Sequence, residues 1–136
     1  MSPSRLAAAC LATTVLATAG CGESERVRTE RPILRLTLDE YRILPQNVSV
    51  RPGRIKIVAR NTGRLPHNLV IQVPPEEPGD KPVPVLGGRL TSMQPGEAAE
   101  PIKVVLAKGT YRIVCTIANH DDLGQYGELV VDGEPL

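Results

Sequence analysis

Residues 102–131 read IKVVLAKGTYRIVCTIANHDDLGQYGELVV and contain the pattern that decides the fold. Short runs rich in β-branched residues are separated there by Gly, Asn and Asp: 102–106, 111–116 and 129–131. Short alternating runs are typical of β-strands, and the separating residues favour turns. Side chains alternate along a strand, so Tyr111, Ile113 and Cys115 share one face. If that face packs in the core, Cys115 is buried.

Four further strand candidates lie upstream, and they alternate in the same way: 33–38, 48–51, 55–59 and 69–73. Turn signals separate them, among them Pro52-Gly53 and Asn61-Thr62-Gly63. No long segment has the period of 3.6 residues that marks an amphipathic helix. The sequence therefore predicts an all-β fold, a β-sandwich formed by one domain over residues 32–136. Residues 74–88 hold five Pro and three Gly, which predicts a surface loop.

Composition restricts the classes of protein further. The chain has 136 residues, 13 Pro and 12 Gly but no Phe or Trp, so the core must be aliphatic. Sixteen basic and 15 acidic residues give a formal net charge of +1. This overall charge gives no reason to expect that the protein binds nucleic acid or contacts a membrane through a polybasic segment. Three Cys are too few for a disulfide scaffold.

The first 20 residues have the layout of a secretory signal peptide. Arg5 precedes an uncharged, mostly apolar run at residues 6–17, and the small residues Thr18-Ala19-Gly20 follow. This order of regions is typical of an export signal, and the apolar run is shorter than the roughly 20 residues of a membrane-spanning helix. We therefore expect residues 1–20 to direct the chain out of the cytoplasm.

Cys21 follows the small residues directly, and the stretch resembles a bacterial lipobox. The resemblance implies cleavage before Cys21 and a lipid on its thiol, although the pattern prefers Leu where Thr18 stands. The alternative is an ordinary cleavage site with Cys21 as a free thiol. Residues 21–31 are mostly charged and lack periodicity, which predicts a flexible tether to a lipid anchor. The expected location is extracytoplasmic, at the cell membrane of a bacterial envelope.

Three residues carry the candidate chemistry. His67 opens the fourth strand candidate, Cys115 ends the sixth, and His120 follows it five positions later. A sandwich can bring these strand ends together. A thiolate with two imidazoles is a soft ligand set, and trigonal His₂Cys with a weak fourth ligand is the geometry of blue-copper electron-transfer sites. The placement of His67, Cys115 and His120 therefore predicts a metal site.

Other readings of the same residues are weaker. A lone His at a strand end, or a lone buried Cys, is more often structural. Structural zinc takes four strong ligands, and only three are present. A Cys–His nucleophile would need an orienting partner or an oxyanion motif, and the sequence shows neither, so we do not expect an enzyme.

From about Ile33 to Val131 the chain resembles the cupredoxins, the type 1 blue copper proteins. The first motif is Asn61-Thr62-Gly63 leading into Pro66-His67-Asn68. The second runs from Gly109 through Tyr111, Cys115, His120 and Gly124-Gln125 to Gly127. The resemblance implies a Greek-key β-sandwich with one type 1 copper bound by His67, Cys115 and His120.

Gln125 stands where the family usually has an axial Met. Met1 and Met93 lie elsewhere in the sequence, and the phytocyanin branch that includes stellacyanin is similar in using Gln at this spacing. That branch normally carries a nearby disulfide, which this chain cannot form with Cys115 on the metal. The likeness implies that Gln125 is a fourth ligand. Alternatively, Gln125 is a turn residue and the copper has three ligands or a backbone carbonyl near Pro66.

The resemblance also implies roles around the ligands. Asn68 is similar to the family Asn that joins the two ligand loops by hydrogen bonds, with Thr116 as its partner; alternatively, Asn68 caps its own turn. In cupredoxins the edge of the His at the position of His120 is exposed and passes electrons to partners. Asp121 and Asp122 beside it could steer a basic partner, or they are simply solvated.

Together these observations predict a monomeric, membrane-tethered extracytoplasmic electron-transfer protein that carries one copper. Its partners would be an unidentified redox protein and, through the lipid, the membrane, with no nucleic acid. Two alternatives stay open. The chain could bind or deliver copper as cargo without a redox role, or it could be a metal-free β-sandwich interaction module.

Overall fold

The computed structural model describes residues 25–135, and the regular elements there are all β-strands. Ten strands follow in chain order: β1 (Arg26–Thr29), β2 (Ile33–Asp39), β3 (Arg42–Leu44), β4 (Asn47–Val50), β5 (Gly53–Asn61), β6 (His67–Val73), β7 (Val83–Met93), β8 (Ile102–Leu106), β9 (Gly109–Val114) and β10 (Tyr126–Val131). The expected signal peptide at 1–20 and the expected lipidation site Cys21 lie outside the described residues. Between residues 25 and 135, no helix is long and apolar enough to cross a membrane.

The strands form two sheets. One sheet has the order β1-β4-β10-β9-β6-β7, and the other has the order β3-β2-β5-β8. Strands that are adjacent in a sheet, such as β4 and β10, are far apart in the sequence. The chain therefore crosses repeatedly between the two sheets. The predicted all-β sandwich is confirmed.

The core lies between the sheets and is aliphatic. In β2, Leu34, Leu36 and Leu38 are buried while Arg35 between them is exposed, as the alternation predicts. Leu, Ile and Val from the other strands complete the cluster, with Met93 from β7. Each fully buried aliphatic side chain stabilises the fold by about 1.5–3 kcal/mol relative to its exposed state. The sandwich is therefore stabilised without large aromatic residues.

The N-terminal segment differs from the expected flexible tether at residues 21–31. Arg26–Thr29 forms β1, which pairs in parallel with β4. Arg26 forms an ion pair with Glu128, and Arg28 forms one with Asp132. The prediction is wrong for these residues because edge strands often carry charged side chains, which here reach across β4 to residues in or next to β10.

The Pro-rich segment also differs in part from its prediction. The sequence predicts a surface loop at 74–88, but β7 already begins at Val83. β7 is the edge strand next to β6, and its pairing is interrupted by register shifts. An edge strand can hold Pro84, since one side of its ladder is open. The loop is therefore shorter than predicted.

The six-stranded sheet sets the place of the candidate site. β9 pairs with β6, with Val114 opposite Val70, and with β10, where Val114 is opposite Tyr126. Both pairings are antiparallel, so the start of β6, the end of β9 and the start of β10 meet at one end of the sandwich. Three segments distant in sequence thus contribute to one site.

A substitution of Gly127 in β10 would test this packing. A Cβ atom there would lie 2.1 Å from the carbonyl oxygen of Gln46, which accepts the N–H of Glu128. Gly127→Ala should therefore lower the free energy of unfolding by about 1–3 kcal/mol, the usual cost of overpacking. Urea denaturation of the metal-free protein measures this change. The exposed substitution Thr110→Ala on β9 is the control, and an equally small effect of both would contradict the packing described.

Candidate metal centre

His67, Cys115 and His120 meet at the end of the sandwich that the sheet pairing defines. His67 is the first residue of β6, and Cys115 directly follows β9. The Sγ atom of Cys115 lies 4.0 Å from Nδ1 of His67 and 3.7 Å from Nδ1 of His120. One donor atom from each residue lies within 4.8 Å of the others. The structure thus brings together the three residues that the sequence indicates.

This donor set fits a metal ion. Bonds of about 2.1 Å to nitrogen and about 2.3 Å to sulfur, in a trigonal plane, place N and S about 3.8 Å apart. The observed separations of 3.7 and 4.0 Å are close to that value. His67 and Cys115 are fully buried, and His120 is 6% exposed. One ion could therefore contact both imidazoles and the thiolate, shielded from water.

A tight loop returns the chain from Cys115 to His120. The N–H of His120 donates to the carbonyl of Ile117, and the carbonyl of His120 accepts the N–H of Gln125. Ala118 and Asn119 have positive φ angles of 47° and 56°, which allow the chain to reverse within a few residues. These hydrogen bonds hold His120 in place without a metal.

Gln125 is held at the site by its amide group. Its Nε2 donates to the carbonyl of Asp39 at 2.6 Å and to that of Arg42 at 3.3 Å. Two carbonyl acceptors at one end of the amide identify that end as nitrogen. The other end, Oε1, is buried and makes no hydrogen bond of ordinary distance and angle among the described residues, although Gln125 lies near enough to His67 to raise the pKa of that residue. A buried oxygen without a partner costs free energy, and a bound cation would remove that cost.

The turn between β2 and β3 covers the site, a feature that the sequence analysis missed. One oxygen of Glu40 lies 3.8 Å from Nε2 of His67 and also accepts the backbone N–H groups of Arg64 and Leu65. The ring of Tyr41 packs edge-on against His120, with 5.5 Å between centroids. Nothing in the local sequence signals this contact, because it depends on the parallel pairing of β2 with β5.

Asn61 organises the loop that leads to His67. Its buried Nδ2 donates to the carbonyls of Leu65 and Met93, at 2.7 and 3.0 Å, and its Oδ1 accepts the N–H of Gly63. The Asn-Thr-Gly triplet predicts a turn, and in the structure the Asn61 side chain links that turn to β7. This link fixes the backbone that presents His67.

Asn68 and Thr116 are joined as the sequence indicates. The N–H of Thr116 donates to Oδ1 of Asn68 at 2.8 Å, and Nδ2 of Asn68 lies 3.0 Å from the Thr116 hydroxyl oxygen. The two residues directly follow His67 and Cys115, so the contact ties two candidate ligands together. Such contacts orient the residues that bind a metal.

The surroundings of His120 differ from the expectation. Its edge is not open, because Tyr41 packs against it and leaves His120 only 6% exposed. Asp121 faces Arg112 at 3.7 Å, which offsets part of its charge, while Asp122 is exposed. An acidic port at His120 is therefore weaker than two free carboxylates would make it.

Burial keeps His67 in its neutral form. It lowers the pKa of His67 below the ordinary value of 6.5, and the nearby His120 lowers it further. Gln125 and Glu40 act in the opposite direction but do not cancel the effect. A neutral imidazole is the form that binds a metal, so His67 is ready to act as a ligand at neutral pH.

The fold and the site define a class: a β-sandwich with a buried two-His, one-Cys cluster at one end. Several solved structures are similar to this chain in fold. Auracyanin from the photosynthetic bacterium Roseiflexus castenholzii has a TM-score of 0.64 and 22% identity, over 77% of this chain and 100% of that one. Auracyanin A, a "blue" copper protein from Chloroflexus aurantiacus, has a TM-score of 0.62 and 18% identity, over 79% of this chain and 100% of that one.

Rusticyanin, in its reduced form, is also similar, with a TM-score of 0.56 and 17% identity over 84% of this chain and 89% of that one. No family model and no curated protein matches the sequence. The chain therefore has the cupredoxin fold, a Greek-key β-sandwich, and the fold class implied by the sequence resemblance is confirmed.

The lowered pKa of His67 predicts how the stability of the metal-free protein depends on pH. The unfolded chain takes up a proton at a higher pH than the folded chain does. The stabilisation is therefore complete above about pH 6.5 and is lost as the pH falls through the folded-state pKa. Urea midpoints at pH 5 and pH 7.5 measure this loss.

The matched variant is His67→Gln, which removes the titrating group. It should have a smaller loss of stability between the two pH values than the parent protein. Equal losses would show that His67 is not held neutral by burial.

Proposed function

We propose that this chain is an electron-transfer protein that binds one type 1 copper through His67, Cys115 and His120. The observation that carries the proposal is the cluster itself: two imidazole nitrogens and one thiol sulfur, buried together at one end of a cupredoxin fold. The structurally similar auracyanin A is described as a "blue" copper protein, which supports the same assignment here.

The ligand chemistry favours copper over other metals. A thiolate is a soft ligand, and a trigonal two-His, one-Cys set with a weak fourth ligand suits copper that cycles between Cu(I) and Cu(II). Among residues 25–135, these three are the only cluster of His, Cys, Asp or Glu able to hold a metal ion. A structural zinc site would need a fourth strong ligand.

The rigidity of the site supports a redox role rather than transport of copper as cargo. Bound copper would supply a one-electron redox couple. Hydrogen bonds between Asn68 and Thr116 join the residues that follow His67 and Cys115, and Tyr41 packs against His120. Gln125 is itself held by the carbonyl of Asp39. Residues fixed in this way need little rearrangement when the metal changes charge.

Gln125 is the proposed axial ligand. Its amide nitrogen is occupied by two backbone carbonyls, and its free oxygen is buried at the site. An amide oxygen is a harder donor than a thioether sulfur, so it should favour Cu(II) over Cu(I). The proposed site therefore has a lower reduction potential than a Met-ligated relative.

The proposal extends to the location of the protein. We place it outside the cytoplasm, anchored by a lipid on Cys21 and working with a separate redox protein. Because β1 begins at Arg26, residues 22–25 are the whole link between Cys21 and the folded sheet. Four residues span about 14 Å at most, so the domain would stay close to the membrane.

Copper loading is the direct test. The protein given Cu(II) should develop an intense visible thiolate-to-copper absorption band that reductant bleaches reversibly. Cys115→Ala should abolish the band completely, because the sulfur is its origin. Weak, colourless binding would favour delivery of copper as cargo, and no binding would favour a metal-free module.

The control for this experiment is Thr116→Ala, which removes a hydroxyl next to Cys115 but leaves the three ligands. It should retain the band, with a changed position or intensity. A band that survives in Cys115→Ala would overturn the proposed ligand set.

The axial role of Gln125 has its own test. Gln125→Met should raise the reduction potential measured by voltammetry, because a thioether stabilises Cu(I) better than an amide oxygen does. The exposed substitution Gln94→Met, outside the site, should leave the potential unchanged. An unchanged potential in Gln125→Met would show that Gln125 is only a buried structural residue.

A further inference from the structure

The outer face of the four-stranded sheet carries a group of positive charges. Five exposed cations project from β2, β5 and β8, and we call this group the basic face: Arg35, Arg54, Lys56, Arg60 and Lys103. Most of their neighbours along each strand point inward and are buried in the core, among them Leu34, Ile55 and Val104. The cations thus share one surface because side chains alternate along a strand.

None of the five cations of the basic face forms an ion pair with any residue between 25 and 135. Some cations elsewhere on the molecule are paired, among them Arg26 with Glu128, Arg28 with Glu30 and Asp132, and Arg112 with Asp121. The acidic residue that shares the outer face, Asp39, is engaged by Arg42. None of the five positive charges of the basic face is therefore neutralised by an ion pair within residues 25–135.

The arrangement of the basic face opposes folding rather than favouring it. Lys56 on β5 lies directly opposite Lys103 on β8 in the antiparallel ladder. Like charges at directly opposed positions destabilise a sheet, and an acidic residue at either position would remove the repulsion. Stability of the fold therefore does not explain the Lys56–Lys103 pair.

The chain as a whole has a net charge of only +1, so the five cations of the basic face are a local excess of positive charge on a nearly neutral protein. A local excess of charge orients a molecule toward a surface of opposite sign.

We propose that the basic face binds the surface of an anionic phospholipid bilayer. The face is the flat side of a sheet rather than a cleft, and it presents cations from three neighbouring strands in one plane. Val105 and Leu44 on the same side are 67% and 44% exposed and can contact the interfacial region of the bilayer. Cations near an anionic leaflet are attracted individually, and the attraction decays within a Debye length.

This proposal does not depend on copper and goes beyond the electron-transfer role. Its consequence is an orientation. The strands run parallel to the basic face, so a domain that lies on the membrane through this face leaves the strand ends uncovered. The metal centre lies at one of those ends and would stay open to a protein partner at the membrane surface.

The test uses the full chain and vesicles of phosphatidylcholine, with or without phosphatidylglycerol, at about 0.1 M salt. The protein should bind the phosphatidylglycerol vesicles at least tenfold more strongly than the neutral ones. The variant Arg35→Glu, Lys56→Glu, Arg60→Glu should reduce this preference at least tenfold. Its N-terminal segment is unchanged, so any binding by that segment cancels in the comparison.

The matched control reverses three exposed cations outside the basic face: Lys81→Glu, Arg89→Glu and Lys108→Glu. It has the same net charge as the first variant and should retain the preference within about twofold. Both variants should give the circular dichroism spectrum of the folded parent, since Lys56→Glu replaces a like-charge contact with Lys103 by an opposite-charge one.

Three results would overturn the proposal. The basic-face variant could keep the lipid preference, or both variants could lose it equally, which would show an effect of net charge alone. Finally, the parent protein and both variants could bind the vesicles equally, while polyglutamate binds the parent protein but not the basic-face variant. That result would assign the face to an acidic protein.

Discussion

The antiparallel pairing of β9 with β6 and β10 is the constraint on which the rest of the structure depends. It places the start of β6 and the end of β9 at the same end of the sandwich, and so it brings His67 to Cys115. The backbone N–H of Cys115 donates to the carbonyl of Gln125, which extends the same ladder to the fourth candidate ligand. A shift of one residue in this register would turn Cys115 and its neighbours to the opposite face. The site therefore follows from strand pairing, and the core that fixes the pairing also fixes the geometry of the ligands.

Polar groups buried at that end of the sandwich lower the stability of the fold unless they have hydrogen-bond or charge partners. The turn between β2 and β3 supplies some of these partners. Its carbonyls accept the amide of Gln125, the carboxylate of Glu40 lies near His67, and the ring of Tyr41 closes over His120. The Gln125 oxygen is left without a partner among the described residues. The site thus has a rigid polar shell, one unsatisfied acceptor and three metal-binding donors. A permanently bound metal ion would be held by the donors and would satisfy the acceptor. This is also why a metal-free module is the weaker interpretation.

The net charge of this protein does not describe how its charges are distributed over the surface. A net charge of +1 gives no reason to expect an electrostatic contact, yet the outer side of one sheet collects five unpaired cations. The same alternation that buries Ile55 and Ile57 turns Arg54 and Lys56 outward on β5. Acidic residues bring the total close to zero, but none of them forms an ion pair with these five cations within residues 25–135. The charged residues of the N-terminal segment behave differently. Their composition suggests a solvated tether, but in the structure they belong to β1 and form ion pairs with other parts of the chain.

The sequence by itself determined the all-β class, seven of the strands, the aliphatic core and the identity of the three donor residues, because alternation and side-chain chemistry are local properties. It also indicated Asn68 with Thr116, and Gln125, through a resemblance. Only the tertiary structure decided that β1 joins the sheet, that β7 begins within the Pro-rich segment, and that Glu40 and Tyr41 cover the ligands. It also decided that the cations of three strands share one face. These features depend on which strands become neighbours, and neighbours in a sandwich are set by long-range pairing that no local pattern records.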